Sequence, residues 1–344
     1  MRVLATALFA GLLAVAGAEA SEIATGAVAH GDAIFVRSPA GLAAHAASTG
    51  ARLWSLADDV RPLAAYGNRL LGQAAAPEGE VALVILDTAS GRRLGEAAVA
   101  LPEGVSAPLD DTGDTRFVIR VDQAGAQARL EWRWEFQPMR GAFDEDADEA
   151  RRVEGAVLVE LDSGRAAATA ARQVTAPEPL PDPLAREADA GAFRERPLRI
   201  GRFFVATQAG PAGAVVLKRW TAQAVALPDV AMPAGVTLQM GSADASHVLL
   251  SRELPGEPLD RAHEWTVVAL DTGAPAATLR ASTAAAGFEV VAGRVVAMQQ
   301  AWEHRSAAGW QREPRRVESF DRASGARAWV QEVRDPSYRG PVAP

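Results

Sequence analysis

Phe320-Asp321-Arg322-Ala323-Ser324-Gly325-Ala326-Arg327-Ala328-Trp329 is the stretch that decides the fold, because its grammar recurs along the chain. Near-copies are Leu86-Asp87-Thr88-Ala89-Ser90-Gly91, Leu161-Asp162-Ser163-Gly164 and Leu270-Asp271-Thr272-Gly273. A version without the aspartate is Ala46-Ala47-Ser48-Thr49-Gly50-Ala51-Arg52-Leu53-Trp54, and a degraded copy falls near Trp220-Thr221-Ala222. Each part has a physical task. The carboxylate of Asp87, Asp162, Asp271 or Asp321 accepts from backbone N–H groups just ahead of it, and Ser or Thr does so more weakly. Gly91, Gly164, Gly273 and Gly325 supply the positive φ that closes a hairpin. The flanks alternate or are wholly apolar, as strands do. One such turn is weak evidence; a recurring strand–turn–strand unit signals a repeat architecture.

Upstream of each copy lies a second pair of short strands around a polar turn. Examples are Val28-Ala29-His30-Gly31-Asp32 before Ala33-Ile34-Phe35-Val36, and Ala65-Tyr66-Gly67-Asn68 before Arg69-Leu70-Leu71. In the third repeat the pattern is read as Asp114-Thr115, then Arg116 to Ile119; in the fourth, Leu198 to Gly201, then Arg202 to Val205. The fifth turns at Gly241 to Asp244 and the sixth at Val291-Ala292-Gly293. Each repeat therefore has four strands, a to d, and four-stranded units set around a ring are propeller blades. The fold expected is all-β, a β-propeller of six four-stranded blades. Seven is the alternative, should the long third repeat contain two. Residues 1–20 are expected to be a signal peptide, 21–330 the propeller and 331–344 a C-terminal tail.

These residues resemble the PQQ-like (quinoprotein-type) repeat family, best at Ser48 to Trp54 and Phe320 to Trp329. The resemblance covers nearly all of the chain after the leader. It implies architecture and leaves function open. Alcohol dehydrogenases of that family hold the quinone beneath a disulfide of adjacent cysteines, with calcium on Glu, Asn and Asp. This chain has no cysteine, and its one asparagine, Asn68, lies in a turn. No cofactor, metal or catalytic constellation is assigned.

The spacing between turn glycines is uneven, and the extra length is placed between strands b and c: Gln123 to Gly155 in the third repeat, Glu253 to Glu264 in the fifth, Ala301 to Arg316 in the sixth. A Pro-rich linker from Ala176 to Arg194 joins strand d of one blade to strand a of the next. In an antiparallel blade the b–c and d–a connections leave from one end, so these insertions should decorate one face. Loops placed by a rigid scaffold are where binding resides. The candidate interaction face comprises Trp132, Trp134, Phe136, Trp265, Trp302 and Trp310. Clustered aromatics beside Arg have the composition of an interface hot spot. The competing placement is burial between blades, where large aromatics contribute most.

Arg2, the apolar run Val3 to Ala16 and Ala18-Glu19-Ala20 have the form of a Sec-type signal peptide, so a periplasmic or secreted location is expected, with Ser21 first in the mature chain. Without cysteine there is no disulfide and no lipid-anchor site. No later run reaches transmembrane length. The net charge of -8 opposes nucleic acid and anionic membranes. Neither a phosphate loop nor a nucleophile elbow occurs, and the five histidines are not at ligand spacing. Asp144, Asp146 and Asp148 have the alternation of a calcium loop without its glycine, and read as a solvated hairpin tip. The function expected is a scaffold binding a protein of the cell envelope. The alternatives are a PQQ- or other cofactor-dependent enzyme using the central channel, and small-ligand or glycan binding by the aromatic loops.

Overall fold

The computed structural model describes residues 22–23, 26–111, 114–137, 151–171, 180–255, 262–284, 287–306 and 309–334. The proposed leader, the acidic run Asp144 to Asp148 and the end of the tail lie outside these residues. A short strand, β1 (Glu22–Ile23), comes first. Blade 1 follows as β2 (Ala27–His30), β3 (Ala33–Ser38), β4 (Gly41–Ala46) and β5 (Arg52–Leu56). Blade 2 is β6 (Val60–Tyr66), β7 (Arg69–Ala74), β8 (Glu80–Asp87) and β9 (Arg93–Ala100). Blade 3 is β10 (Thr115–Ala124), β11 (Gln127–Phe136), β12 (Arg151–Glu160) and β13 (Arg165–Thr169). Helix α1 (Asp182–Asp189) precedes blade 4, which is β14 (Leu198–Ile200), β15 (Phe203–Ala209), β16 (Val215–Thr221) and β17 (Val230–Met232). Blade 5 is β18 (Thr237–Gly241), β19 (His247–Glu253), β20 (His263–Ala269) and β21 (Pro275–Ala281). Blade 6 is β22 (Gly287–Val291), β23 (Arg294–Gln299), β26 (Arg316–Asp321) and β27 (Arg327–Glu332), with a separate hairpin, β24 (Trp302–Ser306) and β25 (Gly309–Glu313), between its second and third strands. The chain is a six-bladed β-propeller in which every blade is an antiparallel meander.

Blade 3 corrects the expected placement of one insertion. Arg116 to Ile119 belong to strand a, and Glu131 to Phe136 form half of strand b. The segment assigned to an insertion from Gln123 is thus a ten-residue hairpin arm of the blade itself. Only 137–150 joins strand b to strand c. The alternation of Trp132, Trp134 and Phe136 with charges is what allows so long a two-faced strand. Blade 3 also gains β1, which pairs with the inner edge of β10 through Glu22 opposite Val121 and Ile23 opposite Arg120.

The c–d turns share one hydrogen bond. The N–H of Gly50, Gly91, Gly164, Gly273 and Gly325 donates to the carbonyl four residues back, on Ala46, Asp87, Glu160, Ala269 and Asp321. Their φ values run from 69° to 75°. In blade 4 Ala224 takes a similar conformation at φ 58°, and Thr221 stands where the aspartate would. This register separates two kinds of aspartate. Asp87 and Asp321 accept the N–H and hydroxyl of Ser90 and Ser324, as expected. Asp162 and Asp271 sit two residues later, because their turns are compressed; Glu160 and Ala269 hold the equivalent position. Glu160 there accepts the Ser163 hydroxyl, and Asp271 caps only the N–H of Thr272.

The same turns dock one blade on the next. Trp54 of blade 1 donates from Nε1 to the Thr88 carbonyl at 2.9 Å, and its ring lies where a Cβ on Gly91 would be, 2.7 Å away. Trp329 of blade 6 repeats this on blade 1, donating to the Ala47 carbonyl at 2.9 Å and covering Gly50. The ring closes through such side-chain contacts, an apolar cluster of Ile34 and Val36 with Val296 and Val317, and a backbone bond from the Arg334 N–H to the Arg37 carbonyl at 2.8 Å. Among the described residues no strand is exchanged between the first and last blades. Trp54→Phe keeps the ring and loses the Thr88 bond; it is expected to lower unfolding stability by about 1 kcal/mol. A urea midpoint equal to that of the native chain would refute that role.

Apolar clusters join blades 1 and 2, 2 and 3, 4 and 5, 5 and 6, and 6 and 1. Among the described residues none joins 3 and 4. There, Leu180, Leu184 and Phe193, from α1 and its flanks, cover Phe204, Ala206 and Trp220 of blade 4. The facing side of blade 3 carries the ion pairs Arg129–Glu131 at 2.5 Å and Arg133–Glu135 at 2.9 Å.

Candidate functional site

The meander topology sends b–c and d–a connections to one face. All the longest ones are of these kinds: 101–114, 137–150, 170–197, 254–262 and 300–315. The β24–β25 hairpin therefore lies on this face; α1, though part of a d–a connection, packs on Phe204, Trp220 and the turn residue Ala224, toward the short-turn end of blade 4. The opposite face carries short turns, the longest running from 222 to 229 in blade 4.

Four charged groups knit the insertion-bearing face together. Arg37, at the end of β3, is 1% exposed. It grips Asp59 with two bonds, Nε to Oδ1 at 2.6 Å and Nη2 to Oδ2 at 2.8 Å. Its Nη1 lies 2.8 Å from Asp110 and donates to the Leu109 carbonyl at 3.0 Å. Arg334, beyond the last strand, reaches both Asp59 at 3.2 Å and Asp110 at 2.5 Å. Two arginines and two aspartates thus tie blade 1, the 1–2 and 2–3 linkers and the chain after blade 6. The Arg37 guanidinium holds Asp59 below the usual carboxylate range, against the upward push of burial. Burial would pull Arg37 down, but its bonds to Asp59 and Asp110 outweigh that and raise it. Arg61, on β6, donates to the same Leu109 carbonyl. Burial, reinforced by repulsion from Arg37, brings Arg61 down to about 10, so it stays cationic at neutral pH. The sequence reading missed this group. Its signal was a charge, Arg37, on the core-facing period of an otherwise apolar strand.

The candidate aromatics are mostly inside. Trp132 and Trp134 are 7% and 5% exposed and pack in the cluster between blades 2 and 3. Trp132 stacks on Phe117 with centroids 5.8 Å apart, and Trp134 on the half-buried Phe136 at 6.2 Å. Trp265, on strand c of blade 5, is fully buried and donates to the Thr283 carbonyl at 2.7 Å. Trp132, Trp134 and Trp265 are therefore inter-blade packing, not surface, since their strands direct them at neighbouring blades. Trp302 and Trp310 lie on the hairpin, opposite Glu313 and Arg305; their side chains are outside the described residues. The four described aromatics, Trp132, Trp134, Phe136 and Trp265, do not form one patch, since the first three pack between blades 2 and 3 and Trp265 in the cluster of blades 5 and 6.

A cavity of about 930 Å³ opens at the short-turn end of the central channel and is lined from all six blades. Most of the lining is Ala, Val and Gly, with His30, Tyr66, Asp122, Gln123, Asp244 and Glu289 among it. Burial would raise Asp244, but the hydroxyls of Ser242 and Ser246 overcome that and hold it low. Burial lowers the neighbouring His247. Among the described residues no cluster of three or more His, Asp or Glu could hold a metal, and no helix is long and apolar enough to cross a membrane.

No family model and no curated protein matches the chain. Solved structures similar to it include a europium-containing methanol dehydrogenase, at 10% identity and TM-score 0.28, over 90% of this chain and 68% of that one. The Dos1 propeller aligns at 12% identity and TM-score 0.25, over 89% and 67%. The β-propeller domain of the Trilobed protease from Pyrococcus furiosus does so at 8% and 0.24, over 77% and 69%. Likeness at this level assigns no activity; the blade architecture rests on the six sheets themselves.

Proposed function

We propose that this chain is an exported scaffold of the cell envelope that presents its insertion-bearing face to a protein partner. The observation that carries the reading is the asymmetry of the disc: every long connection leaves from one face. Export is supported by Arg2, the apolar run Val3 to Ala16 and the small residues Ala18 and Ala20. The Arg37–Asp59–Asp110–Arg334 group gives that face a fixed frame on which loops are held.

Photo-crosslinking in intact cells tests it. A crosslinking residue at Glu103 or Glu253, exposed at the insertion-bearing end, should give a discrete adduct with one envelope protein. The same residue at Asp32 or Thr49, exposed on the short-turn face, should give none. Adducts confined to Asp32 and Thr49, or absent from every position, would overturn the reading.

A further inference from the structure

Strand β12 has an edge that is only half covered. Its inner side pairs with β11 along the whole length, from Arg151 to Glu160. Its outer side pairs with β13 only from Ala156 to Glu160, because β13 stops at Thr169. The alternation follows from Leu161, whose N–H donates to the Ala126 carbonyl across the β11 side. Counting back by twos, Gly155 and Val153 also turn their backbone groups to β11, while Glu154 and Arg152 turn theirs outward. Among the described residues no strand takes up those outward groups. The chain leaves the edge at Ala170, whose carbonyl accepts from Arg129 Nη2 at 2.5 Å.

A groove of about 350 Å³ runs beside this edge, between Glu154 to Val157 and the end of β9 at Val99 to Pro102. Trp132 forms part of its wall. Gly155 presents bare backbone there: a Cβ would stand 2.3 Å from the Trp132 ring. At the far end are Arg151, whose guanidinium lies 5.7 Å from the Trp134 ring centroid, and Arg152, ion-paired with Glu154 but with a side chain 57% exposed and so open to a second carboxylate.

We propose that this edge takes an extended peptide of a partner protein, which continues β13 as an added strand. The inference rests on the scaffold reading and names how the partner docks. An unpaired edge selects extended backbone through main-chain hydrogen bonds, and neighbouring pockets select alternate side chains. The groove, walled by Val99, Leu101, Ala156 and Trp132, takes small apolar ones. A strand in line with β13 runs antiparallel to β12, so its C-terminal end lies beside Arg152 and Arg151. Charge complementarity there asks for a carboxylate.

The test uses the full chain and a fluorescein-labelled peptide of about ten residues, alternating valine or alanine with threonine and ending in two aspartates. Fluorescence anisotropy should show saturable binding. The variant Glu154→Pro removes an outward N–H and leaves the β11 ladder intact, so proline is tolerated as on an edge strand. It also frees Arg152 from Glu154, which Glu154→Gln does while keeping the N–H, so the backbone effect is read against Glu154→Gln. Glu154→Pro should weaken binding by about tenfold or more while its melting temperature stays close to that of the native chain. Ending the peptide in lysines should weaken it by about threefold. On binding, the amides of Arg152 and Glu154 should gain protection from hydrogen exchange. Absence of binding, or equal binding by Glu154→Pro, overturns the proposal. So does full protection of both amides without peptide, which would mean that residues 172–179 of this chain already cover the edge. If Glu154→Pro retains the envelope adduct at Glu103 or Glu253 but loses nothing in peptide binding, the scaffold reading stands and the edge proposal falls.

Discussion

Gly325→Ala is expected to lower unfolding stability by about 3 kcal/mol, while Gly164→Ala at the equivalent turn costs about 1 kcal/mol. Both glycines have nearly the same backbone, φ 69° and 71°. Both substitutions therefore pay the left-handed conformation, about 1 kcal/mol for a residue with a Cβ. Their surroundings differ. A Cβ on Gly325 would stand 2.1 Å from the Thr278 carbonyl oxygen of blade 5, which is backbone within a sheet and cannot move aside alone. A Cβ on Gly164 would find Ile85 Cγ1 at 3.8 Å, an ordinary contact. The difference between the two losses thus isolates how tightly one blade rests on the turn of the next. Urea denaturation of both variants measures it, and equal losses would show that the turn conformation alone matters.

The second large effect is expected at the insertion-bearing face. Arg37→Leu should cost about 2–3 kcal/mol at neutral pH, because it takes from Asp59 and Asp110 the buried one of their two shared partners and leaves them only Arg334. The carboxylates are 34% and 32% exposed, so water softens a loss that would be greater in a dry core. The loss should also depend on pH in one direction. Asp59 is held below its ordinary value of 3.8, so in the native chain its contribution is fully present above that value. It disappears as the pH falls through the depressed folded-state value. The gap in urea midpoint between native chain and variant should therefore be wide at pH 7 and narrow at about pH 3. A gap that stays constant between those conditions would exclude the ion pair as its source.

Much of the blade architecture was legible because its turns are local chemistry. A glycine at positive φ with Ser or Asp beside it needs no partner from elsewhere in the chain, and so reads directly from the letters around Gly91 and Gly325. The fourth copy was legible only as a trace, since Ala224 adopts the same turn with none of the same side chains. The third repeat was misplaced for a different reason. Alternation along Glu131 to Phe136 identifies a two-faced strand, but not whether that strand is an arm of a blade or an excursion from it. What each face meets is a long-range fact. The same holds for Trp265, whose burial is decided by blade 6 and by the Thr283 carbonyl. Arg37 needed Asp59, Asp110 and Arg334 to become intelligible, and these are drawn from widely separated parts of the chain.

The four meander strands of each blade are a contiguous run of residues and could be inherited as one unit; only blade 3 carries an added strand, β1, from elsewhere in the described chain. Duplication or deletion with both breakpoints in linkers would move a four-stranded unit and leave the ladders of the other blades intact, the β1–β10 pairing being the exception when blade 3 is the one moved. The change would fall on the curvature of the ring, and therefore on the junctions. At the junction between blades 3 and 4 no apolar cluster of the described residues spans the two blades, and a helix packs on blade 4 where the other blades use direct apolar contact. That junction is the place where the circle can be widened or narrowed with least disturbance to packing, and so the point at which a lineage of such rings would change its blade number.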